Sequence, residues 1–271
     1  MISDITIGQY YKENSVVHRL DPRIKIILTI LFIAMIFMCK NFLSLALMIV
    51  FVIFSVLCSK VPPKMFLRSL KPIVPIVIFT AILNMLYISG ENVLFEWRFI
   101  RITTEGITTA AFMAIRIICL IVASSILTYT TVPTMLTDAI EKLLSPLKIF
   151  RISVHSLAMM MTLALRFIPT LIEEIEKISN AQKARGADLE SGKFFERIKA
   201  VVPIIIPLFV SSFKKADDLA FAMSCRCYTG GNGRTRMKQM KMKASDFVSL
   251  AIFTAGIVSV VLLNKFFGAV I

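Results

Sequence analysis

The sequence predicts an all-α integral membrane protein with about five transmembrane helices, and with long amphipathic helices between spans four and five. Three observations carry this reading. Hydrophobic residues make up 57% of the 271-residue chain and mean hydropathy is +0.79, more than a soluble core of that size requires. Segments 24–39, 42–58, 73–88, 107–130 and 247–263 are each mostly apolar and near bilayer length. Between the last two lies a charged, helix-patterned stretch, 133–246.

The first span opens at Asp21-Pro22, an acceptor at the cap followed by a proline at the first helical position. It is short, but Arg23, Lys25 and Lys40 can reach headgroups from its ends. Only Lys40 and Asn41 separate it from the second span, which predicts a tight helical hairpin. His18, beside the cap, reads as a surface or interfacial histidine. Arg116 is the one charge well inside a span. Insertion there costs about 2.5–3.5 kcal/mol, so it must face protein or water, as a packing arginine bonded to carbonyls or as part of a path.

In 133–246, Pro133 opens a short helix through Leu144, and Pro146 interrupts it. From residue 154, Ala164, Phe167, Ile168, Leu171, Ile172, Ile175 and Ile178 recur at three- and four-residue steps, with Glu173, Glu174, Glu176 and Lys177 opposite. This helix is expected to kink at Pro169 and end at Arg185, with Gly186 in the left-handed position after it. Its first half is apolar enough to lie in the membrane or against other spans. A second amphipathic run starts near Ser191 and ends near Arg226 or Cys227, before Gly230-Gly231-Asn232-Gly233. Pro203 and Pro207 argue against one straight helix there.

Loop charge gives an orientation. Residues 59–71 carry Lys60, Lys64, Arg68 and Lys71 against no acid, and 133–246 carry 18 Lys plus Arg against 11 Asp plus Glu, whereas the basic residues of 89–105 are outnumbered by acids. An amino terminus inside puts the basic-rich segments in the cytoplasm and the carboxyl terminus outside. The expected division is an amino-terminal membrane domain at 1–130, a cytoplasmic domain at 131–246 and a final span in 247–271. Polar residues 1–22 ahead of the first apolar run do not resemble a cleaved leader. The net charge of +14 belongs to orientation and anionic lipid rather than to nucleic acid.

Catalytic and cofactor chemistries fail one by one. Gly233-Arg234-Thr235 hints at a phosphate loop, but Tyr228 stands where its first glycine belongs and arginine replaces the lysine. Cys225-x-Cys227, with Met223 or Met237, reads as small residues at a helix end before it reads as a soft-metal site. His18 and His155 are the only histidines, and neither has a partner at catalytic spacing. No catalytic, cofactor or metal residues are expected in this chain.

What remains are two arginine-centred blocks, NAQKARGADLE and AFAMSCRCYTGGNGRTR. The helix dipole accounts for an arginine at a helix carboxyl end, worth ~0.3–1 kcal/mol. It does not account for small neighbours that leave the guanidinium uncrowded, an arrangement suited to an acidic groove on another protein. Together with the His18-x-Leu20-Asp21-Pro22-Arg23 opening, the chain resembles the transmembrane (T) component of energy-coupling factor transporters, ABC-type importers of vitamins and transition metals. The resemblance implies that the amphipathic helices are cytoplasmic coupling helices docking on two ABC ATPase subunits, which bind ATP and Mg. It also implies a small membrane-embedded substrate-binding (S) subunit as a further partner. By position, Ala184, Arg185 and Gly186 match the first docking motif, and Arg226 matches the centre of the second, where Cys225 and Cys227 depart from alanine and glycine. The alternative is a stand-alone secondary permease or channel using Arg116.

Overall fold

The structure, a computed structural model, describes residues 9–88, 93–97, 100–150, 153–187, 194–230 and 242–266. The chain divides into two compact units, one of residues 9–132 with 240–271 and one of 133–239 with 1–8.

The first unit contains α1 (Val16–Arg19), α2 (Pro22–Met38), α3 (Phe42–Ser59), α4 (Pro63–Leu70), α5 (Val74–Tyr87), α6 (Thr104–Thr130) and α10 (Ala244–Phe266). A two-stranded antiparallel hairpin, β1 (Val93–Trp97) and β2 (Ile100–Thr103), precedes α6, with Glu96 paired to Arg101 and Trp97 to Ile100. Helical periodicity did not anticipate it. The core lies among α2, α3, α6 and α10, where Met35, Ile36, Leu45, Met48, Phe112 and Val260 are all but inaccessible. The outward residues Ile30, Val50 and Leu57 are exposed and equally apolar, as a bilayer requires.

The second unit holds α7 (Pro133–Leu143), a short 3-10 helix (Ser145–Phe150), α8 (Val154–Ala184) and α9 (Phe194–Cys225). Among the described residues, α3, α6, α8 and α10 are long and apolar enough to cross a membrane, and α4–α5, bent by 58°, makes a fifth candidate. Pro72 and Pro75, which cannot donate, flank the bend. In α8 the apolar stretch of spanning length is its first half, ahead of Glu173, as the sequence suggested. α9 is helical through Pro203 and Pro207. Pro207 has no N–H to give the Pro203 carbonyl. The Gln182 side chain on α8 donates to it instead, at 3.4 Å.

α2 explains most of the polar architecture of the first unit. With 17 residues it is about 25 Å long at 1.5 Å per residue, so its ends meet protein as well as headgroups. At its start, the Asp21 carboxylate accepts from the Arg23 N–H at 2.9 Å, and Pro22 follows the cap as the sequence implied. Asp246, buried at the start of α10, accepts from the backbone N–H groups of Asp21 (3.0 Å) and Lys243 (2.7 Å). The buried Lys25 ammonium donates to the carbonyls of Thr130 (2.8 Å) and His18 (3.3 Å) and to Thr131 Oγ1 (3.3 Å).

At the other end of α2, Asn264 Nδ2 donates to the Met38 carbonyl at 2.7 Å, and Asn41 Nδ2 to the Leu263 carbonyl at 3.4 Å. Arg116 joins this layer. Its Nη2 donates to the Cys39 carbonyl at 2.7 Å, and the guanidinium lies 4.7 Å from the Phe112 ring centroid. The residue is mid-helix in α6, but it is level with the α2–α3 turn and the end of α10. Beyond it α6 continues beside α5, so closely that a side chain at Gly106 would meet the Met85 carbonyl at 3.2 Å.

Ahead of α2, His18 anchors the extended amino-terminal segment. Its Nε2 contacts the Tyr11 carbonyl at 2.9 Å and its Nδ1 contacts Ser15 Oγ at 2.7 Å, so the neutral ring donates to Tyr11 and accepts from Ser15. Partial burial, reinforced by the Lys25 charge, holds the imidazole below its ordinary value of 6.5. Because the unfolded chain then takes up the proton first, the contribution to stability is complete above pH 6.5 and is lost as pH falls below it.

Two outcomes are expected. Arg116→Gln removes the bond to Cys39 and leaves its carbonyl unpaired, lowering stability by about 1–3 kcal/mol in thermal unfolding of the solubilised protein. Moving from pH 7.5 to 5.5 lowers the amide protection factors of residues 9–18 in the wild type, after correction for the slower intrinsic exchange in acid, whereas in His18→Gln those factors no longer respond to the acid step.

Candidate functional site

The ends of α8 and α9 are built alike. At the first, the Gly186 N–H bonds the Lys183 carbonyl and the Ala187 N–H bonds the Gln182 carbonyl, both at 3.0 Å. At the second, the Cys227 N–H bonds the Ser224 carbonyl at 2.9 Å and the Tyr228 N–H bonds the Met223 carbonyl at 3.0 Å. Each is the paired closure that satisfies the last carbonyls of a helix by reversing the chain through one left-handed residue. Gly186 has φ +84° and Cys227 has φ +53°. Arg185 and Arg226 occupy the same place, the cap residue ahead of that reversal, with Ala184 and Cys225 as the last helical residues. Ala184, Arg185 and Gly186 are exposed, as are Cys225, Arg226 and Cys227. The backbone closes on itself, so neither guanidinium is consumed in capping.

Glu174 fixes the register between the helices. It accepts from Lys215 Nζ at 2.7 Å and from Ser211 Oγ at 3.3 Å. Together with Gln182 on Pro203, this shows that α8 and α9 pass in opposite directions. Each arginine lies about three turns, roughly 16 Å, beyond the Glu174–Lys215 pair on its own helix. The two tips therefore point away from each other. Aligning the two arginines sets Glu173-Glu174 against Lys214-Lys215, so the helices meet at equivalent positions carrying opposite charge. The pair is partly exposed, 28% for Lys215 and 26% for Glu174, so solvent screens it and it adds little to stability. It specifies register more than it stabilises.

The chemistry available at the two ends is recognition. Among the described residues no group of His, Cys, Asp and Glu is arranged to hold a metal ion, and the Cys225 and Cys227 thiols are free. His155 contacts Glu141 at 3.3 Å, away from both ends. The Gly231-Asn232-Gly233 part of the expected turn, Arg234, Thr235 and Met237 lie outside the described residues. An exposed planar guanidinium on a closed helix end offers two parallel donors to a carboxylate.

Left-handed backbone costs a residue with a Cβ roughly 1 kcal/mol more than glycine. Gly186→Ala is expected to loosen the last turn of α8 by about that amount, and Cys227→Gly to tighten the last turn of α9. Hydrogen exchange of the amides at 185–187 and 226–228 reads both changes, which must have opposite signs.

Comparison with known proteins places the whole chain. The CbiQ family, described as cobalt transport protein, matches residues 13–238. The energy-coupling factor transporter transmembrane protein EcfT of Clostridium kluyveri is 50% identical over 92% of this chain and 93% of its own length. The protein of the same name from Ruminiclostridium cellulolyticum is 49% identical over 98% of this chain and all of its own length. That of Bacillus subtilis is 43% identical over 94% and 97%. With several spanning helices and similarity over nearly its full length, this multi-pass membrane protein belongs to the family of energy-coupling factor transporter transmembrane proteins.

Proposed function

We propose that this chain is the coupling scaffold of an ABC-type importer, transmitting ATP-driven motion of two ATPase subunits to a small membrane-embedded substrate-binding subunit. The cargo class is a vitamin or a transition-metal ion, and ATP and Mg belong to the ATPase subunits. The observation that carries this reading is the matched pair of arginine-capped helix ends. Two identical presentations at opposite ends of a crossed helix pair suit a partner that comes as two related subunits. The amino terminus and the charged parts of 131–246 are assigned to the cytoplasmic side, which the loop charges of the sequence favour, with the apolar first half of α8 in or against the membrane. Exposed apolar residues of α9 such as Ile205, Phe209 and Phe213 give the lever a surface for the substrate-binding subunit and lipid. When the ATPase subunits close, the arginine tips follow them, and the crossing at Glu174–Lys215 passes that movement to the apolar faces.

A stand-alone permease through Arg116 loses its main support, because that guanidinium is engaged by the Cys39 carbonyl and the Phe112 ring. The deciding variant is Arg185→Glu with Arg226→Glu. Each reversal removes a contact of the kind worth about 2 kcal/mol or more. Together they weaken ATPase association on the order of a thousandfold, while membrane insertion is unchanged. Co-purification of the ATPases at wild-type levels with the double variant would refute the proposal, as would ATP-independent uptake by vesicles holding this chain alone.

A further inference from the structure

Inside the first unit, α1, α2, α3, α6 and α10 enclose a cavity of about 350 Å³. Its wall is apolar, with Leu28, Phe32, Phe51, Val52, Leu127 and Phe253 contributing most of its character. Five hydroxyls line it, those of Thr29, Ser55, Thr130, Ser245 and Ser249, and four of them are already donating. Those of Thr29, Ser55 and Thr130 donate to carbonyls one turn back, at Lys25, Phe51 and Ile126, and that of Ser249 donates to Asp246. The Lys25 ammonium, also in the wall, is already committed to three oxygens. A polar solute would find little to pair with there, and the desolvation penalty excludes it.

The rim points to the occupant. Val16, Phe54 and Val248, at 65%, 55% and 58% exposure, border the opening, so it faces hydrocarbon rather than water. At the α1 end, three exposed cations sit one or two positions from wall residues: Arg19 beside Leu20, Lys60 after Cys58 and Lys243 before Ser245. The acids at that end, Asp21 and Asp246, are buried and occupied by backbone N–H groups. Glu13 is the exposed acid of the same stretch.

We propose that this cavity is a phospholipid site, taking one acyl chain between α3 and α10 with an anionic phosphate held by Arg19, Lys60 and Lys243. An apolar space open to a bilayer fills with acyl chain, and a basic rim favours an anionic headgroup. The bound chain completes the packing of α2 against α3 and α10.

The test uses the full-length chain in nanodiscs containing phosphatidylglycerol with a diazirine in its acyl chain, with adducts mapped by mass spectrometry. Adducts on Leu127, Phe54 and Ile252 are expected at five times or more the level on the outward-facing Ile30 and Val50. Ser249→Phe, which fills the cavity, reduces the Leu127 adduct at least fivefold and leaves Ile30 unchanged. The zwitterionic phosphatidylcholine analogue labels Leu127 several-fold less than phosphatidylglycerol. Uniform labelling of wall and outer surface overturns the site, and equal labelling by the two lipids overturns the anionic headgroup. Should Ser249→Phe fail to fold, the wild-type labelling pattern decides alone.

Discussion

A backbone carbonyl in or near hydrocarbon must find a donor, and helix α2 turns that requirement into the organisation of the whole first unit. Seventeen residues are barely enough to span, so both ends of α2 are finished by side chains from elsewhere in the chain. Asn264 and Arg116 reach the carbonyls of Met38 and Cys39. Asp246 receives the Asp21 N–H at the opposite end, and Lys25 ties α2 to the end of α6. These bonds join α2 to α10 and to α6, the longest helix of the first unit. Replacing any one of the donors leaves an orphaned oxygen where water is scarce, a larger loss than the bond itself contributes.

The same accounting, worked the other way, explains the arginines of the second unit. Arg116 is spent on a carbonyl that nothing else could reach. At the ends of α8 and α9 the chain turns back through Gly186 and Cys227 and satisfies its own carbonyls. Arg185 and Arg226 are therefore released from capping and remain exposed. The left-handed cysteine carries a conformational cost that glycine would avoid, while leaving the geometry of the second end matched to the first. The Glu174–Lys215 pair sets where the helices cross, and so the distance of each tip from the pivot.

Much of this was legible from residue order. The helices at 42–58, 107–130 and 247–263, the Asp21-Pro22 start, the end of α8 at Arg185 and the left-handed Gly186 follow from hydropathy, capping chemistry and periodicity, and the structure contains each of them. Three features were not legible. The β1–β2 hairpin is held by backbone pairing that leaves no helical period to read. The donor to the Pro203 carbonyl inside α9 is Gln182, a residue from another helix. The depth of Arg116 depends on where its neighbours end, and a hydropathy window along α6 contains no such information.

The sequence by itself determined the class of molecule, its spans and the residues that close its amphipathic helices, because these depend on local composition and on the left-handed conformation glycine readily adopts. Tertiary structure alone decided that Arg116 is consumed by the Cys39 carbonyl, while Arg185 and Arg226 stay exposed. It also decided that the helices bearing the exposed pair cross at opposite charges and point their tips apart. The reason is physical: a hydrogen bond or a crossing point joins residues far apart in sequence, and its existence is a property of the packed chain.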